Sequence, residues 1–260
     1  MDFFVQKNSI VRQIWGKSDT VLFIFAGAAA EFALNKAADW LYFTGRLPAD
    51  PLGRLFSTVS YARRIIFSDN ERALKEIDSI YAIHKTVEKN RSSAIPDWAY
   101  RDVLFMLIHY SIASFEVLER KLSLEEKEEV YDVFYRFGTR MNLKALPPDY
   151  TSWIPKRQSD MENDLEKGAY TSDLFLQYKK HLGSIRYLIL IEGQKLIIPE
   201  KVRSLLGFGR FSLLKIGLPF YKLSKLVQLD GVIKKWLLPK KYEKEISEID
   251  VYKTAYQNMA

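Results

Sequence analysis

The 260-residue chain contains no cysteine. That absence excludes disulfides, zinc knuckles, thiolate-bound haem, iron–sulfur clusters and cysteine nucleophiles, and it leaves the redox compartment open. Histidine is nearly as scarce. His84, His109 and His181 are the only imidazoles, so any chemistry that needs one has three candidates. With 12 glycines and 9 prolines, the chain has too few breakers for the collagen, linker or low-complexity classes. No uncharged run reaches the roughly 18 residues that span a bilayer. The longest, 20–30 and 103–115, have the length of buried core helices. The opening MDFFVQKNSIVRQIW lacks the charged start, apolar run and small-residue cleavage site of a secretory signal, which favours a cytoplasmic or membrane-peripheral protein.

Several motifs are also missing. The sequence has no GxSxG, no GxxxxGK[ST], no HExxH and no Glu three residues before a histidine. Serine hydrolases of the α/β type, P-loop NTPases, zincins and ferritin-like di-iron proteins therefore drop out. Gly207-Phe208-Gly209 resembles the start of a dinucleotide fingerprint, but Ser212 replaces the third glycine and no parallel-sheet pattern precedes it, so it reads as a loop.

Apolar residues make up 48% of the chain and charged residues 27%, with 16 Phe and 15 Tyr. This describes a folded chain with a sizeable core, read here as one domain over 1–260. Basic and acidic residues balance through residue 194, so the net charge of +7 resides in the last quarter. Residues 195–241 interleave 11 basic and 2 acidic side chains with Leu, Ile, Phe and Trp. Such a segment suits either an anionic membrane surface or a terminal helical layer with a solvated lysine face. Nucleic acid is not an expected partner, because arginine is sparse there and the aromatics are not spaced as a stacking platform.

Helical signals dominate. Asp50-Pro51 is an N-cap followed by proline at the first helical position, opening a helix to about Phe67. Ser68 and Glu71 read as a capping box for a helix over 69–90, along which Leu74, Ile77, Ile80, His84 and Val87 share a stripe. Pro96 opens a helix to about Lys121, and Ser123 with Glu126 caps another that ends near Asn142. Residues 19–43 are helical in pattern. Their AGAAAEFA centre, 26–33, lets a helix or a flat ligand approach the backbone closely. A loop is expected at 150–160, then helices at 171–182 and 184–192, with 187–198 readable as two short strands. The fold class is all-α. By spacing alone His84 is a histidine on an apolar stripe, whose ordinary reading is a core residue bonded to a carbonyl. His109 reads as packing or as a residue supporting a site side chain from behind, and His181 as exposed.

The assembly DPLGRLFST (50–58), RRIIFSDNERA (63–73), IHKTV (83–87) and LIHYSIAS (107–114) resembles the oxygenase family of MpaB and the rubber oxygenases, also called latex-clearing proteins. The matching positions are Asp50, Pro51, Arg54, Thr58, Phe67, Ala73, His84, Val87 and His109. IPEKVR (198–203) and WLLPKKY (236–242) are similar to the family's closing pieces, extending the resemblance over about 20–242. It implies a helical domain enclosing haem b, with His84 as proximal iron ligand and Arg54 and Thr58 lining the haem pocket. It also implies O2 and an apolar, isoprenoid or lipid-like substrate, and an unspecified reductase. The family's rubber-cleaving branch uses a carboxylate base, for which Asp39 is preferred over Glu31 by its distance from Arg54. Ser57 stands where rubber oxygenases carry a lysine that can cap the iron. Glu88-Lys89 stands where members often have Arg-Gly, reversing a charge near the expected pocket. These two departures motivate an alternative, a haem-free helical protein that binds a membrane surface or a partner.

Overall fold

The computed structural model describes residues 2–45 and 49–226, and among them eleven helices and no strand. The helices are α1 (Ile10–Trp15), α2 (Ser18–Phe32), α3 (Ala38–Phe43), α4 (Pro51–Phe67), α5 (Asn70–Arg91), α6 (Asp97–Leu118), α7 (Leu124–Arg140), α8 (Tyr150–Asp164), α9 (Ala169–Ile197), α10 (Glu200–Leu206) and α11 (Leu214–Leu226). The all-α reading holds. WLLPKKY and the basic residues beyond Leu226 lie outside the described residues.

Capping chemistry sets most boundaries. The Asp50 carboxylate accepts from the Gly53 backbone N–H at 3.0 Å, with Pro51 in the first turn. The Ser123–Glu126 box closes in both directions, at 3.2 and 2.9 Å. The expected box at Ser68 does not form. Ser68 ends α4 in an extended conformation, and Asp69 caps α5 by accepting from the Arg72 N–H at 2.9 Å. The helix expected over 19–43 breaks at 33–37. There Asn35 Oδ1 accepts from the Ala37 N–H at 2.9 Å, a local turn that competes with helical bonding.

One expectation fails after Pro148. Residues 150–160 are not a loop but most of α8, which Asp149 caps. Pro155 sits inside this helix and removes one backbone donor, yet Trp153, Arg157, Asp160 and Met161 are all buried along one side, and that packing holds the helix. Residues 187–198 are helical rather than strand-like. The long α9 does split where expected, at Gly183, whose φ of 73° is left-handed.

The heart of the molecule is α2 against α6. The small centre of α2 brings the two together: a Cβ added at Gly27 would lie 2.2 Å from the Tyr110 ring. Gly27→Ala is expected to lower stability by about 1–3 kcal/mol through overpacking, read as a lower urea midpoint. The flanking Ala26, Ala28 and Ala29 line a cavity instead. The core also takes in Val11, Ile14 and Trp15 of α1, all fully buried, so it reaches further toward the N-terminus than residue 20.

Candidate functional site

A cavity of about 1360 Å³ runs through the domain, larger than the roughly 300–1,000 Å³ usual for small-molecule sites. The helical stretches read at 19–43, 51–67, 69–90 and 96–121 all line it: Ala26 and Ala29 from α2, Trp40 from α3, Arg54 and Thr58 from α4, His84 and Val87 from α5, Tyr100 and Leu104 from α6. Three further walls were not legible in the sequence, namely α7 through Phe134 and Phe137, α9 through Leu182, Arg186 and Leu190, and α11 through Leu218 and Phe220. Apart from Asp19, Arg54, His84 and Arg186, the lining carries no titratable acid, base or imidazole, tyrosines aside.

His84 is half-buried on α5, with its Nδ1 2.8 Å from the Ile80 carbonyl oxygen one turn back. A carbonyl only accepts, so Nδ1 carries the proton and donates, and the lone pair of the neutral ring is on Nε2. Burial pushes the imidazole below its ordinary pKa, the Arg54 charge acts the same way, and the ring is neutral at pH 7. Tyr100 sets its ring edge-on to His84, with centroids 5.2 Å apart. Nδ1 is thus committed and the ring is braced, which leaves the Nε2 lone pair as the one the ring can offer.

Arg54 and Thr58 lie one turn apart, as their spacing requires. The Arg54 guanidinium donates to Thr58 Oγ1 at 2.9 Å, and the Thr58 hydroxyl donates to the Arg54 backbone carbonyl at 3.1 Å. Thr58 therefore spends its proton on the helix and acts by holding the guanidinium along the cavity wall. Ser57 also lines the cavity and is exposed.

The other residues singled out by sequence stand elsewhere. Asp39 receives the Arg91 guanidinium at 2.6 Å. That guanidinium also stacks over Trp40, 4.0 Å from its centroid. The pair ties α3 to the end of α5, and Asp39 itself is not among the lining residues. Glu31 is fully buried on the far side of α2, paired with Arg157 and accepting from the Tyr110 hydroxyl at 2.8 Å. His109 is half-buried, its ring edge-on to Tyr110 with centroids 4.9 Å apart, and His181, expected to be exposed, is half-buried as well. The charge reversal at Glu88 is neutralised on the spot. Its carboxylate accepts from Lys85 Nζ at 2.7 Å, the Tyr100 hydroxyl at 3.0 Å and the Ile95 N–H at 3.1 Å. Burial alone would raise its pKa, but these donors hold it below the ordinary carboxylate value.

A buried polar layer lies beside Glu31. Asp102 accepts from the Asn35 amide at 2.7 Å, and burial pushes its carboxyl up to about 7. The folded state therefore holds this proton more tightly than the unfolded chain, whose aspartate titrates near 3.9. Asp102 costs stability as pH rises through that window. Relative to the wild type, Asp102→Asn is expected to gain stability from about pH 4 to 7, by up to about 1.4 kcal/mol per unit, measured as urea midpoints across that range. His109 acts oppositely. Burial depresses its folded pKa to about 4, so its contribution is lost as pH falls from about 6.5.

A family model described as the catalytic domain of ER-bound oxygenase mpaB/B′ and rubber oxygenase matches residues 12–154, more than half of the chain. The chain belongs to the MpaB and rubber oxygenase family. The match spans Asp39, Arg54, Thr58, His84 and His109, and so contains the whole residue series on which the resemblance rested. IPEKVR and WLLPKKY fall beyond it. No match was found among curated proteins or among solved structures. Family membership makes the chain an oxygenase of the MpaB and rubber oxygenase type. No described helix is long and apolar enough to cross a membrane.

Proposed function

We propose that this MpaB-family chain is a haem b-dependent oxygenase that uses O2 to oxidise or cleave an apolar, isoprenoid or lipid-like substrate. The observation that carries the reading is the pairing of the His84 Nδ1–H with the Ile80 carbonyl beside a large apolar cavity. Among the described residues no three His, Asp or Glu side chains gather to hold a bare metal ion. A metal taken up at His84 therefore suits one that brings its remaining ligands with it, as iron in a porphyrin does. When bound, haem supplies the redox chemistry by which O2 attacks an alkene or an activated C–H bond.

The chain's own residues do the rest. His84 offers Nε2 to the iron, and the Ile80 bond fixes its tautomer. Arg54, held by Thr58, keeps a permanent positive charge on the wall, suited to a propionate or to oxygen polarised during reaction. The apolar lining binds the substrate and excludes water. Asp39 contributes through Arg91 as a positioning residue, bracing Trp40 at the wall. Glu88 lends no support to a haem-free scaffold, since its charge is spent on Lys85, Tyr100 and Ile95.

Titrating the purified chain with haemin tests this directly. A Soret band that saturates at one haem per chain is expected; a chain that takes up no haemin overturns the proposal.

A further inference from the structure

Helix α11 is apolar around more of its circumference than its packing uses. Leu218 and Tyr221 line the cavity, and the Tyr221 hydroxyl donates to Asp19 at 2.9 Å, which fixes the helix on the domain. At 3.6 residues per turn, Ile216, Phe220 and Leu223 form an adjoining stripe, 63, 71 and 59% exposed, and Leu213 in the turn just before the helix is 59% exposed. Single exposed leucines are ordinary, but three large apolar side chains on one helix face with a fourth beside its start are not. Lys215 and Lys222 occupy the remaining sector, Lys215 exposed and Lys222 half-buried with its Nζ donating to the Glu119 carbonyl at 3.4 Å. From Lys201 to Leu229 the sequence contains six basic residues and no carboxylate side chain.

We infer that α11 docks on an anionic lipid bilayer, with Ile216, Phe220 and Leu223 among the acyl chains and the lysines at the headgroups. Two observations choose this occupant. Lys201, Arg203 and Arg210 are paired with Glu162 and Glu200, but α11 itself carries Lys215, Lys222 and Lys225 and no carboxylate, a charge complementary to acidic lipid. Phe220 also belongs both to the exposed stripe and to the cavity rim, so an apolar molecule reaches the cavity from hydrocarbon along a continuous apolar surface. The docking segment is narrower than the basic stretch suggested. Residues 195–206 lie in α9 and α10, where Ile197, Ile198 and Val202 are buried in the core. The docking surface needs no haem; only its purpose, delivery of an apolar substrate, rests on the function proposed above.

The lack of native cysteine permits a clean test on the full chain. An environment-sensitive fluorophore is placed on Ile216→Cys, on Phe220→Cys, and on Thr151→Cys, an exposed control on α8. Vesicles of phosphatidylcholine alone or mixed with phosphatidylserine are then added. A blue shift at 216 and 220 with the mixed vesicles, and none at 151, is expected. The triple variant Ile216→Ser, Phe220→Ser, Leu223→Ser should lose flotation with those vesicles by at least about tenfold, while keeping wild-type circular dichroism. Flotation with silent labels at 216 and 220 would assign binding to another segment and overturn the inference, as would no flotation. A wild-type dimer in lipid-free gel filtration that the triple variant converts to monomer would assign the stripe to a second copy. His84→Ala should float like the wild type, so failure of the haem proposal and failure of this one are separately visible.

Discussion

His84→Ala expressed in haem-supplemented cells will lack a Soret band, while its far-ultraviolet circular dichroism remains that of the wild type. The spectral loss follows from the donor set. Of the three imidazoles, only His84 lines the cavity, and its Nδ1 is already committed to Ile80. The retained fold follows from the position: the ring is half-buried, and alanine is the strongest helix former. Free imidazole should restore the band by occupying the space the ring leaves. A His84→Ala protein with an undiminished band would place the iron elsewhere and remove the basis of the proposed chemistry.

Breaking the Glu31–Arg157 pair should have the largest effect on stability. Both side chains are buried, and the Tyr110 hydroxyl also points at Glu31. Glu31→Ala leaves a guanidinium without its counter-charge inside the helical stack, an arrangement that costs about 3–5 kcal/mol. That is a large part of the roughly 5–15 kcal/mol by which folded domains exceed their unfolded chains. Combining Glu31→Leu with Arg157→Met should recover most of the loss, because two charges then leave the interior together. Urea unfolding of Glu31→Leu, Arg157→Met and their double variant measures the coupling. If Glu31→Ala and Arg157→Met each cost under about 1 kcal/mol, the pair is not holding these helices together.

Local chemistry explains which elements could be read from the sequence. Helices α4, α6 and α7 begin at Asp50-Pro51, Pro96 and Ser123, where a side chain or a proline ring fixes the first turn without help from distant residues. Ser68 misled because its neighbour Asp69 is an equally good acceptor one position closer to the helix. Helix α8 was hidden because Pro155 is a strong local stop signal, whereas the burial of Trp153 and Met161 that outweighs it depends on residues far along the chain. The candidate site residues divide the same way. His84, Arg54 and Thr58 sit on regular helices and line the cavity, but spacing alone made His84 an ordinary core histidine, and the resemblance rather than periodicity assigned the three to a pocket. Asp39 and Glu31 were ranked by distance along the chain, but their partners, Arg91 and Arg157, lie 52 and 126 residues away. Nothing near either carboxylate announces that it is already engaged. The walls supplied by α7, α9 and α11 were unreadable for a related reason, since closing a cavity is a property of tertiary packing.

The bend at Gly183 lies between two stretches of α9 that both reach the cavity. Before it, Thr171 bonds to the Ala33 carbonyl, Leu174 and Tyr178 pack with Ala33, and Tyr178 and Leu182 line the cavity. After it, Arg186, Ile189, Leu190 and Gly193 line the cavity. An unbroken helix of 29 residues would extend about 43 Å in one direction, so the bend sets the angle between the two contributions to the wall. Chamber size is consequently a variable that evolution or design can retune by altering the stretch that follows one glycine, leaving the imidazole-bearing helix and its anchoring carbonyl untouched.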